Sequence, residues 1–210
     1  MSKKKANDYK EESKEEFNKQ AEKFDTENIG KHSRELYDNI IYKLGQFSFT
    51  KLLDVGCGTG NLLSLIYSKF NVEIAGIDLS PNMLEIARNK LGENADLRLG
   101  DSENLPFENE TFDIVTCTDS FHHYPNPENV LAEFKRVLKP KGTSIIADPW
   151  APTPFRQLVN IFMQFNKGGN VKLYSEAEIR GLFENAGFKN IEWEKIAGKN
   201  AFIVTASNMK

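Results

Sequence analysis

"LLDVGCGTGN", residues 52–61, decides how this chain reads. A short apolar run ends at Asp54, and Gly56, Gly58 and Gly60 then occupy every second position. Glycine gives up the most backbone freedom on folding, so such density needs a reason. A strand that ends in glycines and opens the helix "NLLSLIYSKF" turns backbone N–H groups toward a ligand. A dinucleotide fingerprint, G-x-G-x-x-G, would put its last glycine at position 61, which is Asn61. No Gly-Lys-Ser/Thr follows, which excludes a phosphate P-loop more firmly. Asp54 suits a cationic amino group and would repel a phosphate.

Outward from this loop the chain alternates strand and helix. "KLLDV", "VEIAGID", "ADLRLGD", "FDIVTCTDS" and "TSIIAD" read as five strands, nearly continuous in apolar character. Between them lie a helix over "NLLSLIYSKF", a second opened by Ser80 and Pro81, and a third running from Asn126 to Pro140. Ser175 with Glu178 forms a capping box for a further helix that Gly187 ends. "NIEWEKI" and "AFIVTAS" close the chain as a β-ribbon. Apolar strands alternating with helices imply a parallel sheet covered on both faces. The expected fold is α/β: a doubly wound, mostly parallel, seven-stranded sheet with an antiparallel last strand. Residues 1–12 read as a polar mobile tail and 13–210 as one domain. Within it, 13–48 are helices capping the sheet, and 149–174 are an insertion that chooses the substrate.

The bulk properties narrow the class. The 210 residues suffice for one domain with a substantial core. Composition is 40% hydrophobic and 27% charged, with net charge −3, so no nucleic-acid footprint spreads over the fold. "KKK" at Lys3–Lys5 reads as a solvated run. No apolar stretch is long enough to span a membrane, and Cys57 and Cys117 have no partner motif. A cytoplasmic protein, monomer or homodimer, with no nucleic-acid partner and no stable membrane insertion is expected.

Two further acids match Asp54. Asp78 ends the second strand, where a carboxylate can accept both hydroxyls of a ribose. Asp101 ends the third, where it can accept from an exocyclic amine on a purine. Each alone could be an N-cap or turn residue, but an acid at three strand ends in register describes an adenosine site.

With these motifs in place the chain resembles the class I S-adenosylmethionine-dependent methyltransferases, and within them the small-molecule branch of ubiquinone and menaquinone biosynthesis. "LLDVGCGTGN", "GIDLSPNML", "GDSENLPFENETFDIV" and "FHHYPNPENVLAEFKRVLKPKG" carry the resemblance over roughly residues 35–205. "PKG" at Pro140–Gly142 departs from the usual Pro-Gly-Gly in a turn. The resemblance implies S-adenosyl-L-methionine as cofactor and S-adenosyl-L-homocysteine as product. It implies that Asp54 and the loop Gly56–Cys57–Gly58–Gly60 hold the methionine end, and that Asp78 holds the ribose. Leu79 and Met83 would lie beside the adenine, Asp101 and Ser102 would meet its edge, and Asp119 would sit under the methionine near the methyl group.

A base is required only where the acceptor must lose a proton. His123, His122 and Asp119 are the candidates, with Tyr124 in the same loop; shaping that loop is the competing role for both histidines. No metal is expected, because His32 is distant in sequence and no acid-rich cluster joins the pair. Ser120 lacks the elbow motif of a hydrolase. In the insertion, Phe155, Leu158, Val159, Phe162 and Met163 fall on one helical stripe, read first as core packing and second as a lid. Trp150, Ile161 and Phe165 lie outside that stripe and suggest an apolar acceptor pocket, which Phe17, Phe24, Tyr37, Phe121 and Phe155 would complete. The function expected is methyl transfer to a small, partly apolar acceptor. A catalytically silent cofactor-binding regulatory module is the alternative. A nicotinamide dehydrogenase fits the glycine spacing poorly. A nucleic-acid methyltransferase lacks its Asn/Asp-Pro-Pro-Tyr/Phe motif, which "DPWAP" at Asp148 only faintly echoes.

Overall fold

The computed structural model describes residues 5–163 and 168–209. The strands are β1 (Lys51–Val55), β2 (Glu73–Asp78), β3 (Ala95–Leu99), β4 (Phe112–Thr118), β5 (Leu138–Pro149), β6 (Lys189–Lys195) and β7 (Ala201–Ser207). They form one seven-stranded sheet in the order β3-β2-β1-β4-β5-β7-β6. β7 runs antiparallel to both neighbours, and every other pairing is parallel. The order turns back between β1 and β4, which places the ligand crevice beyond the carboxyl ends of those two strands.

The helices are α1 (Ala6–Phe24), α2 (Lys31–Leu44), α3 (Asn61–Phe70), α4 (Pro81–Leu91), α5 (Pro127–Val137), α6 (Phe155–Met163) and α7 (Glu176–Asn185). On one face of the sheet Leu36, Ile40 and Leu44 of α2 pack with Leu62, Leu63 and Ile66 of α3 and Leu84 of α4. On the other, Val130 and Phe134 of α5 meet Ile179 and Phe183 of α7 over Phe112 and Phe202. Burying a side chain of this size contributes about 1.5–3 kcal/mol, so the two layers fix the strand ends that build the site.

Three features differ from the sequence reading. Residues 6–12, read as tail, form the first turns of α1. Their Lys and Glu residues favour a helix, Asp8 caps the Lys5 N–H at 2.8 Å, and Lys10 finds acidic partners on the sheet. The earlier residues 1–4, with Lys3 and Lys4, lie outside the described part. The helix expected to reach Pro140 ends at Val137, because a residue before proline is pushed out of the helical region. β5 therefore starts at Leu138, ahead of the expected Thr143.

The third difference is α6. Its apolar stripe was expected to pack, yet none of its residues is buried, and Phe155 and Phe162 are 60% and 69% exposed. Its polar residues dock it instead. Asn160 donates to the Leu173 carbonyl and accepts from the Leu173 N–H at 3.0 and 2.8 Å, and Arg156 donates to the Ala151 carbonyl. Phe165, expected beside this helix, lies outside the described residues.

α1 crosses the carboxyl ends of the strands on polar contacts. Lys10 donates to Asp101 at 2.7 Å and pairs with Glu103 at 2.8 Å; Ser80 Oγ donates to Asn18 Oδ1 at 2.6 Å. Only Ser13 and Ala21 of this helix are buried.

Candidate active site

The glycine loop lies against the turn after β4. Gly56 has φ +76°, and a Cβ there would come 2.2 Å from Ser120 Oγ, so no other residue fits. Ser120 in turn shares a hydrogen bond with Tyr124 Oη at 2.8 Å. Gly58 also has positive φ, but a Cβ there would meet open space, and its N–H donates to Asp78 Oδ2 at 2.8 Å. Gly60 does not serve the cavity as expected. A Cβ there would press on Ala87 and Leu91, so it admits α4 rather than a ligand.

Beneath α1 is a hollow that opens to solvent at its mouth. It is lined by Asp54, Gly56, Cys57, Gly58, Asp78, Leu79, Met83, Asp101, Ser102 and Asp119, all residues singled out in the sequence. Cys57 is buried, and burial pushes its thiol well above the usual range, so it packs rather than reacts.

The three acids differ physically. Asp54 stands opposite Thr116 in the β1–β4 register, and Thr116 Oγ1 donates to its carboxylate at 2.7 Å. Burial pushes its pKa up to about 7, against the Thr116 hydrogen bond and with the charge of Asp78 adding to the rise. Burial likewise raises Asp78 above the ordinary range, opposed by the N–H groups of Ser80 and Gly58, which donate at 2.8 Å each. Asp101 already accepts from an ammonium, that of Lys10.

At the other end Phe17, Phe24 and Tyr37 line the same hollow. A second hollow adjoins it, sharing Phe17, Phe24, Ser33, Asp119 and His123 and adding Glu16, Gln20, Ile29 and His122. His32 Nδ1 lies 2.7 Å from Asp119 Oδ1, and Ser33 Oγ donates to Oδ2 at 2.6 Å. Burial would raise Asp119, but the His32 hydrogen bond and the charge of His122 outweigh it and hold the carboxyl at about 2. His122 Nδ1 lies 3.0 Å from Asp148 Oδ1. Burial alone would lower its pKa, yet the Asp148 charge raises it. His123 Nδ1 meets Ser13 Oγ at 3.1 Å, and burial with the charge of His122 pushes its pKa down to about 3. His32, distant in sequence from this pair, stands beside it after all, because α2 returns to the β4 end and brings all three histidines together.

Three residues expected against the acceptor stand elsewhere. Phe121 is fully buried and packs on Tyr124 and Tyr174 under the turn. Trp150 leans on Trp193 with Lys195 over its ring. Phe155 points outward from α6, and none of the three lines either hollow. Polar residues were missed: Lys10, Ser13, Glu16, His32, Ser33 and Asp148. Lys10 and Ser13 extend, one turn earlier, the helical stripe of Phe17, Ala21 and Phe24. Asp148 ends β5 as the other acids end their strands.

Comparison with known proteins agrees with this geometry. Residues 53–146 match the family model described as a methyltransferase domain. Demethylmenaquinone methyltransferase of Staphylococcus aureus (strain JH9) is 31% identical over a 183-position alignment that covers 76% of this chain and 76% of that one. The partner of the Trm112 methyltransferase activator in a Haloferax volcanii complex superposes with TM-score 0.81 at 19% identity, covering 94% of this chain and 98% of that one. Phosphoethanolamine N-methyltransferase 2 of Haemonchus contortus, solved with phosphomonomethylethanolamine and S-adenosylhomocysteine, gives TM-score 0.70 at 18% identity, over 84% of this chain and 53% of that one. A doubly wound seven-stranded sheet in this order, with an antiparallel β7, is the frame of a Rossmann-like methyltransferase. This chain belongs to the S-adenosylmethionine-dependent methyltransferase family. Among the described residues no helix is long and apolar enough to cross a membrane.

Proposed function

We propose that the chain methylates a small, partly apolar molecule by in-line displacement, with the acceptor in the second hollow. The observation that carries this is the contact of the two hollows at Asp119, Ser33 and His123. Phe17, Phe24 and Ile29 offer the acceptor an apolar body contact, while Glu16, Gln20, Asp119 and His122 offer polar ends.

The residues of the main hollow fit the cofactor. Open space at Gly58 admits it, Asp54 pairs with an ammonium when ionised, Asp78 accepts from ribose hydroxyls, and Asp101 accepts from an amine. Bound there, S-adenosylmethionine supplies an activated methyl group on a sulfonium. What remains for the chain is alignment, since holding two reactants collinear contributes roughly 7–11 kcal/mol. Phe17 and Phe24, which line both hollows, restrict the approach and exclude water. His123 is no base: one ring nitrogen meets Ser13, a second hydrogen bond goes to the Gly169 backbone, and its pKa is near 3. His122 and Asp119 are the polar groups left at the acceptor end.

Calorimetry with S-adenosylhomocysteine tests the cofactor half. One molecule should bind per chain, and Asp78→Ala should abolish it. Mass spectrometry of small molecules that gain a methyl group in the presence of the enzyme tests the rest. Failure of any small molecule to do so, with the cofactor bound, would reject the acceptor assignment.

A further inference from the structure

All three histidines of the chain gather at the acceptor end, around two aspartates. Donor atoms of Asp119, His122 and Asp148 lie within 4.8 Å of one another. We propose that these three residues form a binding site for one divalent first-row metal cation, Zn²⁺ or Mn²⁺, with an open position toward the second hollow.

Three observations support the site. The first is its rigid mounting. Asp119 and His122 come from the turn after β4, and Asp148 from the end of β5, where it pairs in register with Phe202 of β7. Neighbouring parallel strands hold the donors, and a cation with bonds near ~2.0–2.2 Å, which sets tetrahedral donors roughly 3.3–3.6 Å apart, closes them by at most about 1.5 Å. The second is an orphaned oxygen. Asp148 is 0% exposed, and its Oδ2 has no hydrogen-bond partner, although Oδ1 faces His122 at 3.0 Å. A buried carboxylate oxygen left unpaired is costly, and a cation would satisfy it.

The third is the surrounding support and charge. The carboxylate of Asp119 is held on both oxygens, by His32 at 2.7 Å and by Ser33 at 2.6 Å. Such outer contacts orient a ligating carboxylate and are half of a working site. Among the described residues no Lys or Arg hydrogen-bonds or ion-pairs with either aspartate; their partners are imidazoles and a hydroxyl. Carboxylate and imidazole donors favour Zn²⁺, Mn²⁺ or Fe²⁺ over Cu⁺, which seeks thiolates, and over Mg²⁺, which seeks oxygen alone. Three protein donors with a place left over is the pattern of a site that takes an exogenous ligand. Asp119 and His122 both line the second hollow, so that ligand is an oxygen or nitrogen of the molecule bound there.

Cation binding is independent of the acceptor, although the last step rests on the reading of the second hollow. Chelator-stripped protein is titrated calorimetrically with ZnCl₂ and, separately, with MnCl₂; Co²⁺ absorption reports coordination. One equivalent of at least one of the two cations should bind, and both Asp148→Asn and His122→Gln should weaken it at least tenfold. Each variant is also titrated with S-adenosylhomocysteine, whose retention shows that the fold is intact. Wild-type protein that binds S-adenosylhomocysteine but neither cation overturns the site, as does cation binding unchanged in both variants. Loss of S-adenosylhomocysteine binding in the wild type would instead overturn the cofactor reading.

Discussion

Asp54→Asn should stabilise the empty protein at alkaline pH while removing its affinity for the cofactor. Asp54 is 2% exposed, and its pKa is pushed up to about 7 from an ordinary 3.8. The folded chain therefore keeps this proton until about pH 7, whereas the unfolded chain gives it up near pH 4. A carboxyl whose folded pKa is raised costs stability progressively as pH rises through that window. Over the full gap the cost is about 4 kcal/mol, at ~1.36 kcal/mol per pH unit. Asparagine does not titrate and can still accept the Thr116 hydroxyl. The stability difference between variant and wild type should thus grow by about 2–3 kcal/mol between pH 5 and pH 8. Urea unfolding at the two pH values reads it directly. A difference that does not change with pH would refute the burial argument. Calorimetry on the same samples should show S-adenosylhomocysteine affinity of the wild type rising through pH 7, as Asp54 ionises, and at least tenfold weaker binding by the variant.

Other outcomes follow from single contacts. Gly56→Ala forces an L-residue to φ +76° with its Cβ on Ser120 Oγ, and should cost about 2 kcal/mol or more in urea unfolding. Thr116→Val removes the donor to Asp54 and should move the pH midpoint for S-adenosylhomocysteine binding above that of the wild type. Lys10→Met frees Asp101 and unpins α1, so stopped-flow mixing should show faster association and faster dissociation of S-adenosylhomocysteine; unchanged rates would assign no gating to this contact.

The sheet and the lining of the main hollow were legible because both are written in local sequence. Strand-to-loop junctions carry Asp54, Asp78 and Asp101, and glycine spacing distinguishes the loop from a pyrophosphate cradle. The second hollow was read poorly, because tertiary approach assembles it. His32 reaches Asp119 only through the path of α2, and Ser13 reaches His123 only because α1 crosses the strand ends. Apolar content misled in the same region. Phe121 and Trp150 found core partners, and α6 turned its polar residues inward, so hydrophobicity there did not mark the pocket.

The way α1 is attached has a consequence for turnover. A strap fastened by Lys10, Ser13 and Asn18 can lift without tearing the main core, since little of its surface is apolar burial. Its amides should exchange with solvent at a free energy well below that of global unfolding. On the proposed reading, with the cofactor beneath α1, the dwell time of the spent cofactor becomes a property of this one helix rather than of the pocket under it, and drift in Ala6–Phe24 would alter the enzyme's pace while leaving its chemistry untouched.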